Sequence, residues 1–273
     1  MSQWKFRDEL QLMEINVPRA ALQLARTVAY PDLNVAHYMS RLHELSEEGA
    51  EAIDMELPVA MQARQLSEFL FVAEGFRGNR SNYRDPLNSF LNEVLDRQVG
   101  IPVTLSILYI DIATRLGIPA YGIGLPGHFI VGIHDNEADI WLDPFHEGRF
   151  LDLSDCADLI RISTGYEGPL EASWFEPMPA LIILARMLAN LRSIYVGSHA
   201  WSQAARVIQL LRQVQPGEPE HLRDLGLVNY HEHNLPQAAH YLNAYLQHKP
   251  NANDAQVIRE GIKNILDEWV PMN

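Results

Sequence analysis

Hydrophobic positions in the first hundred residues recur at the spacing of α-helices. Apolar residues between Leu10 and Val28 follow this period, and Pro18 is expected to split the segment. A second stripe, from Val35 to Leu45, predicts another amphipathic helix. Further helices are predicted over residues 50–53, 58–74 and 87–97, the last with Asp85 as its N-cap and Pro86 as its first helical position.

The pattern changes after residue 101. Residues 102–116 are apolar nearly all round, which predicts a centrally buried helix. Pro102 suits the first turn of that helix, where its missing N–H costs nothing, and Gly117 suits its end. Short apolar runs over 120–125, 129–133 and 140–142 then predict strands. Helices followed by a small meander of strands indicate an α+β domain.

The last third of the chain is predicted to be helical again and contains a repeat. Gly226, Ala238 and Pro250 have the spacing of the small, small and proline positions of a tetratricopeptide unit. The same frame, shifted back by about 34 residues, meets apolar positions again, although Arg192 stands at a small position. A helix over 254–269 would cover the exposed end. We therefore predict domains over 1–180 and 181–273, with an ordinary pair of helical hairpins as the alternative for the second.

Charge and cysteine content narrow the class of protein. A net charge of −14 argues against a broad electrostatic grip on nucleic acid or on anionic lipid. The single cysteine, Cys156, excludes an intramolecular disulfide and a cysteine-based zinc site. The chain opens with polar residues, and the apolar run over 178–191 is short and interrupted. We expect a cytoplasmic protein that binds neither nucleic acid nor membrane.

Residues 97–145 have the layout of a papain-like site. Such a site needs a thiol at a helix N-terminus, a histidine on a facing strand and a carboxylate or amide that orients the histidine. His128 begins a predicted strand and Asp143 ends the next one. At the helix N-terminus, where the nucleophile would stand, the chain has Pro102.

These residues resemble a known family. The segment Arg115-Leu-Gly-Ile-Pro-Ala120, His128 and Asp143-Pro144 are similar to the transglutaminase-like core, in which Gly-x-Cys stands at the position of Gly100-Ile-Pro102. More narrowly, residues 91–105 and the tetratricopeptide-like tail resemble the bacterial SirB-type proteins, which have a eukaryotic relative among F-box proteins. The resemblance implies the fold and the helical tail. It implies little about activity, because proline in place of the cysteine is common in that narrower group.

The residues around this frame form the predicted pocket, and each has a second interpretation. His128 and Asp143 are candidates for a base and its orienting group, or for a structural pair and a turn cap. Gln98 is a candidate oxyanion donor or a solvated helix end, and Arg97 a candidate anion contact or an ordinary salt bridge. The predicted pocket consists of Arg97, Gln98, Pro102, Thr104, His128 and Asp143.

Other nucleophiles and metal ligands are less well placed. Thr104 is rotated off the face of Pro102, and Ser106 shares that face but lies one turn deeper. Cys156 is expected to be a small buried hydrophobic residue. The group His128, His134, Asp143 and His146 matches no standard zinc spacing, so we expect no metal and no cofactor.

The sequence therefore favours a non-catalytic transglutaminase-like protein with a recognition or regulatory role. Its helical tail would bind a protein or peptide partner. The alternative is a hydrolase or acyltransferase of amide or ester bonds. In that alternative His128 is the base, Asp143 orients it, and water, Thr104 or Ser106 replaces the thiol.

Overall fold

The computed structural model describes residues 4–135 and 139–269 of the chain. These residues divide into two compact units, unit 1 and unit 2, with the boundary between Met187 and Leu188. The predicted domain limit after residue 180 coincides with the first residue of a continuous helix, Ala180–Gly197. Contacts divide the chain inside that helix rather than before it.

The first half of unit 1 is helical, as the apolar periodicity predicts. The helix predicted from Leu10 begins only at Val17, because the Asn16 side chain caps it by accepting the Arg19 N–H at 2.8 Å. Asn34 caps the next helix in the same way. The helices are α1 (Phe6–Glu9), α2 (Val17–Val28), α3 (Val35–Ala52), α4 (Val59–Glu68) and α5 (Leu91–Arg97).

Three predicted helix limits differ from the structure. Residues 50–53 are not a separate helix, because α3 continues to Ala52. The helix predicted over 58–74 changes at Phe69 into a wider π-helical turn that ends at Ala73. The helix predicted over 87–97 consists of a 3₁₀ turn, Pro86–Ser89, followed by α5. The Asp85 side chain caps that turn by accepting the Leu87 N–H, as predicted. Phe90 has an extended backbone between the two segments.

Helix α6 (Pro102–Arg115) is the central helix of unit 1, which confirms the prediction from its apolar composition. Leu105, Leu108 and Ile112 are fully buried. Tyr109 is buried as well, and its hydroxyl donates to the Ala63 carbonyl at 2.8 Å. Every residue from Pro102 to Tyr109 is buried, which fixes the position of the N-terminal half of the helix.

An antiparallel sheet follows α6, with its strands in chain order. Asp143, at the end of one strand, pairs with Arg149 at the start of the next. A separate short parallel pair joins residues 77–78 to residues 99–100. Pairs of two or three residues are too short to show alternation, so the sequence did not reveal them. The strands are β1 (Arg77–Gly78), β2 (Val99–Gly100), β3 (Ala120–Ile123), β4 (Ile130–Ile133), β5 (Ile140–Asp143) and β6 (Arg149–Leu151).

Helix α7 (Leu153–Thr164) packs on the sheet through one side. Its buried residues Cys156 and Ile160 join Ile123, Leu125 and Ile130 in one apolar cluster. Cys156 has no exposed surface, which confirms its predicted role as a small buried hydrophobic residue. Burial raises the pKa of its thiol to about 12, with Asp155 adding to the effect.

Among the described helices, α8 (Ala180–Gly197) is the one that is both long and apolar enough to cross a membrane. Over 18 residues its mean hydropathy is 1.4, so by length and composition alone it is long enough to cross a bilayer. Core helices of globular proteins meet the same criterion, and 39% of this one is buried.

Unit 2 consists of the end of α8 and four further helices. Helix α10 packs against both α9 and α11, and α11 packs against α12. Gly226 lies where α10 approaches α11, and a Cβ there would be 2.5 Å from the Leu242 Cγ. This contact explains the small residue at that position of the repeat. The helices are α9 (Trp201–Val214), α10 (Glu220–His231), α11 (Leu235–His248) and α12 (Ala255–Trp269).

A chain of polar contacts runs across unit 2. Arg192, which replaces the small residue of the first repeat, reaches Asp224 at 3.0 Å. Arg223 reaches Asp254 at 3.0 Å, and the Tyr245 hydroxyl donates to the same carboxylate at 2.8 Å. Arg192, which is larger than the residue that the repeat pattern has at this position, therefore forms an ion pair with the second repeat.

Candidate functional site

His128 and Asp143 come together at the ends of neighbouring strands. His128 follows a tight turn in which its own N–H donates to the Leu125 carbonyl at 3.1 Å and Gly127 adopts a φ of +72°. Asp143 ends β5 and caps the 3₁₀ turn Pro144–His146, because its Oδ1 accepts the Phe145 N–H at 2.9 Å. The pairing of β4 with β5 then brings the two side chains together at one end of these two inner strands.

Two imidazole rings contact one oxygen of Asp143. His128 Nε2 lies 2.8 Å from Asp143 Oδ2, and His146 Nδ1 lies 2.6 Å from the same atom. Burial alone would raise the pKa of Asp143, but hydrogen bonds from His128 and His146 hold it at about 2. A carboxylate that is ionised only accepts hydrogen bonds, so both ring nitrogens donate to it. Asp143 is fully buried, His128 is 7% exposed, and His146 is 36% exposed.

Arg186 stabilises the turn at His128 through hydrogen bonds to its main chain. Its guanidinium donates to the carbonyls of Leu125 and His128, at 3.1 and 2.6 Å, and lies over the Phe129 ring. Sequence reasoning did not single out Arg186. The available signal was one arginine inside the otherwise apolar segment 180–191.

The histidine–aspartate group opens into a cleft of about 600 Å³. Tyr83 and Ser163 contribute hydroxyl groups to the cleft, and Asp158 contributes a carboxylate. Arg149 pairs with Asp155 at its rim. None of these residues was predicted, since they come from a loop, from β6 and from α7, which the motif does not include. The lining comprises Tyr83, Gly127, His128, Asp143, Phe145, His146, Arg149, Leu151, Asp155, Asp158, Leu159, Ile162 and Ser163.

Four of the predicted pocket residues are not among those that line this cleft. Arg97 forms an ion pair with Asp85 at 3.1 Å, which is the ordinary salt bridge of its second interpretation. Gln98 adopts a left-handed conformation that ends α5. Pro102 is buried as the first residue of α6, and Thr104 is buried within the first turn. Of the predicted set, His128 and Asp143 line the cleft.

The hydroxyl groups of Thr104 and Ser106 on α6 are buried in the core. Thr104 Oγ1 donates to the Asn88 carbonyl at 2.8 Å and accepts the Ile101 N–H at 3.1 Å. Ser106 is fully buried, and its hydroxyl has no hydrogen-bond partner among the described residues. Neither side chain is among those that line the cleft beside His128.

Of the four residues considered as possible metal ligands, His134 lies apart from the other three. His134 instead pairs with Asp139 at 3.0 Å, and both side chains are largely exposed. One ligand atom from each of His128, Asp143 and His146 lies within 4.8 Å of the others. The structure thus assembles three of the four residues.

Comparisons with known proteins agree with this architecture. The transglutaminase-like superfamily matches residues 36–189, and the tetratricopeptide repeat matches residues 191–263. A UPF0162 protein of Xylella fastidiosa is 34% identical over 92% of this chain and 90% of its own length. Human F-box only protein 21 is 30% identical over 54% of this chain and 24% of its own length.

A structural comparison adds one distant similarity. The crystal structure of menin, described as revealing the binding site for Mixed Lineage Leukemia protein, covers 96% of this chain and 69% of its own. Its TM-score of 0.43 at 12% identity does not establish a shared fold. The match over residues 36–189 and the long bacterial relative do establish the family: this chain belongs to the transglutaminase-like superfamily and, within it, to the UPF0162 proteins.

Proposed function

We propose that this chain is a non-catalytic, SirB-type transglutaminase-like protein of the cytoplasm that binds a protein or peptide partner through its tetratricopeptide tail. The observation that carries the proposal is Pro102 at the N-terminus of α6, the position that the resemblance to the family assigns to the nucleophilic cysteine. Proline has no group that can attack a carbonyl carbon.

Cys156, Thr104 and Ser106 are not among the residues that line the cleft beside His128. The chain has a single cysteine, and Cys156 is fully buried on α7 with its thiol pKa raised to about 12. A thiol of that pKa contains almost no thiolate at neutral pH. Thr104 and Ser106 are enclosed in the core. These features favour recognition over covalent catalysis.

The tail offers a surface for a partner on α10. Leu227 and Tyr230 are separated by about one turn of the helix, and each is 42% exposed. Arg223 lies one turn before Leu227 on the same side. Tyrosine and arginine are enriched among residues that dominate binding energy in protein interfaces, and repeat stacks bind through extended surfaces of this kind. We name Arg223, Leu227 and Tyr230 the α10 surface.

The proposal predicts that the α10 surface is needed for partner binding. Affinity capture from the cells that make this protein is done with the full chain, with a Leu227→Ala/Tyr230→Ala variant and with a Val72→Ala variant. Val72 is a matched control, because it is also an exposed apolar residue but lies in unit 1. Loss of one central contact costs about 2 kcal/mol, so capture by the double variant should fall by about 30-fold or more.

Two outcomes of this capture experiment contradict the proposal. One is a set of captured proteins that the double variant retains at the level of the unaltered chain. The other is a loss that Val72→Ala causes equally, since that result would place binding outside the tail. Circular dichroism of each variant checks that the helices remain folded.

A hydrolase or acyltransferase remains the second candidate, and one observation favours it. The His128–Asp143 pair at 2.8 Å opens into a cleft large enough for a peptide side chain. In such an enzyme, His128 would take a proton from water while Asp143 fixes its tautomer.

A further inference from the structure

We infer that His128, Asp143 and His146 form a binding site for a divalent first-row transition metal cation, such as Zn²⁺, at the base of the cleft. The ligand atoms are His128 Nε2, Asp143 Oδ2 and His146 Nδ1. This inference goes beyond the proposed function, because partner binding by the tail does not require it.

The distances suit a cation. Two ligand atoms that lie about 2.1 Å from one tetrahedral Zn²⁺ are separated from each other by about 3.4 Å, so the two rings and the carboxylate have to move apart by less than about 1 Å for an ion to enter between them. The two imidazole nitrogens lie 2.8 and 2.6 Å from Asp143 Oδ2, and all three atoms fall within 4.8 Å of one another. The ring centroids of His128 and His146 are 5.9 Å apart, with an angle of 30° between their planes. Small side-chain rotations would therefore place all three atoms around one ion.

The ligand types select the class of metal. Two imidazoles and one carboxylate suit zinc and its first-row neighbours, whereas Mg²⁺ and Ca²⁺ prefer oxygen ligands throughout. Three protein ligands on one side leave the remaining coordination positions facing the cleft. That arrangement is typical of sites that bind water or a ligand molecule at the metal rather than of closed structural sites.

Surrounding contacts hold the ligands in place. Asp143 Oδ1 is occupied by the Phe145 N–H, which leaves Oδ2 as the atom directed at the two histidines. Arg186 fixes the main chain of His128 through its carbonyl. Such outer contacts orient metal ligands and are a regular part of metal sites.

Binding requires a defined movement of hydrogen atoms. Without a metal, the two ring nitrogens that face Asp143 each donate a hydrogen to the carboxylate. A metal ligand nitrogen carries no hydrogen, so on binding each hydrogen moves to the opposite ring nitrogen or is released to solvent. The carboxylate remains ionised throughout, and no electron is transferred.

Calorimetric titration of Zn²⁺ into the purified full chain tests this inference. We expect one Zn²⁺ per chain, with an affinity lowered by at least about 100-fold in His146→Ala. His146 is partly exposed, so this variant is expected to fold. His134→Ala is the matched control, because His134 also pairs with an aspartate but lies outside the group. Its affinity for Zn²⁺ should equal that of the unaltered chain.

Co²⁺ gives a second measurement that reports on the ligands themselves. Bound Co²⁺ should show visible absorption that His146→Ala and Asp143→Asn both remove and that His134→Ala leaves unchanged. Absence of stoichiometric Zn²⁺ binding by the unaltered chain would overturn the inference. Equal binding by the unaltered chain and His146→Ala would overturn it as well, because the ion would then lie at another histidine.

Discussion

Replacing Asp143 with alanine is expected to lower the free energy of unfolding by about 3–5 kcal/mol. The carboxylate is fully buried and accepts hydrogen bonds from His128, His146 and the Phe145 N–H. Its removal leaves a buried imidazole and a buried main-chain N–H without an acceptor, and each such group carries its own desolvation cost. Chemical denaturation followed by circular dichroism measures the change.

The chain contains a matched control for this substitution. Asp139 also pairs with a histidine, His134, at 3.0 Å, but that pair is largely exposed. Exposed pairs contribute about 0–1 kcal/mol, so Asp139→Ala should have a small effect. Equal losses from the two substitutions would contradict the buried position assigned to Asp143.

The second large effect is expected at Gly226. An alanine Cβ there would lie 2.5 Å from Leu242 Cγ and 3.2 Å from the Leu242 main-chain nitrogen. Overpacking of this kind costs about 1–3 kcal/mol or more, which exceeds the gain of about 1 kcal/mol from replacing glycine within a helix. Gly226→Ala should therefore destabilise unit 2 in thermal unfolding.

Gly261→Ala is the control with the opposite expected sign. Gly261 lies inside α12, and a Cβ there meets no atom within 4 Å. Only the helix propensity changes at this position, so alanine should stabilise the helix by up to about 1 kcal/mol. A stabilising Gly226→Ala would show that α10 and α11 do not approach each other as the tetratricopeptide frame requires.

The sequence predicted the fold correctly in those segments where the apolar pattern extends over many residues. The uninterrupted apolar segment starting at Pro102 predicted the buried central helix, and the spacing from Gly226 to Pro250 predicted the repeat. The shortest elements were missed: β1, β2 and β6 contain too few residues for alternation to be visible. The start of α2 differed from the prediction because Asn16 forms its cap, whereas the predicted cap at Asp85 is confirmed.

The candidate site was predictable only in part, because side-chain directions depend on segments distant in the sequence. Thr104 lies two residues after Pro102 along the chain, but its hydroxyl donates a hydrogen bond to the Asn88 carbonyl inside the core. Arg97 likewise reaches Asp85. Conversely, His146 meets Asp143 because the 3₁₀ turn after β5 brings residues three apart together.

We propose that the chain has kept the histidine–aspartate pair without a nucleophile. The most direct test of this proposal is the turnover of glutamine-containing peptides and of model esters by the purified full chain, beside His128→Gln and Cys156→Ala. We expect none of the three proteins to exceed the rate in buffer alone. Turnover that His128→Gln abolishes and Cys156→Ala retains would contradict the claim and establish an enzyme that works without a thiol.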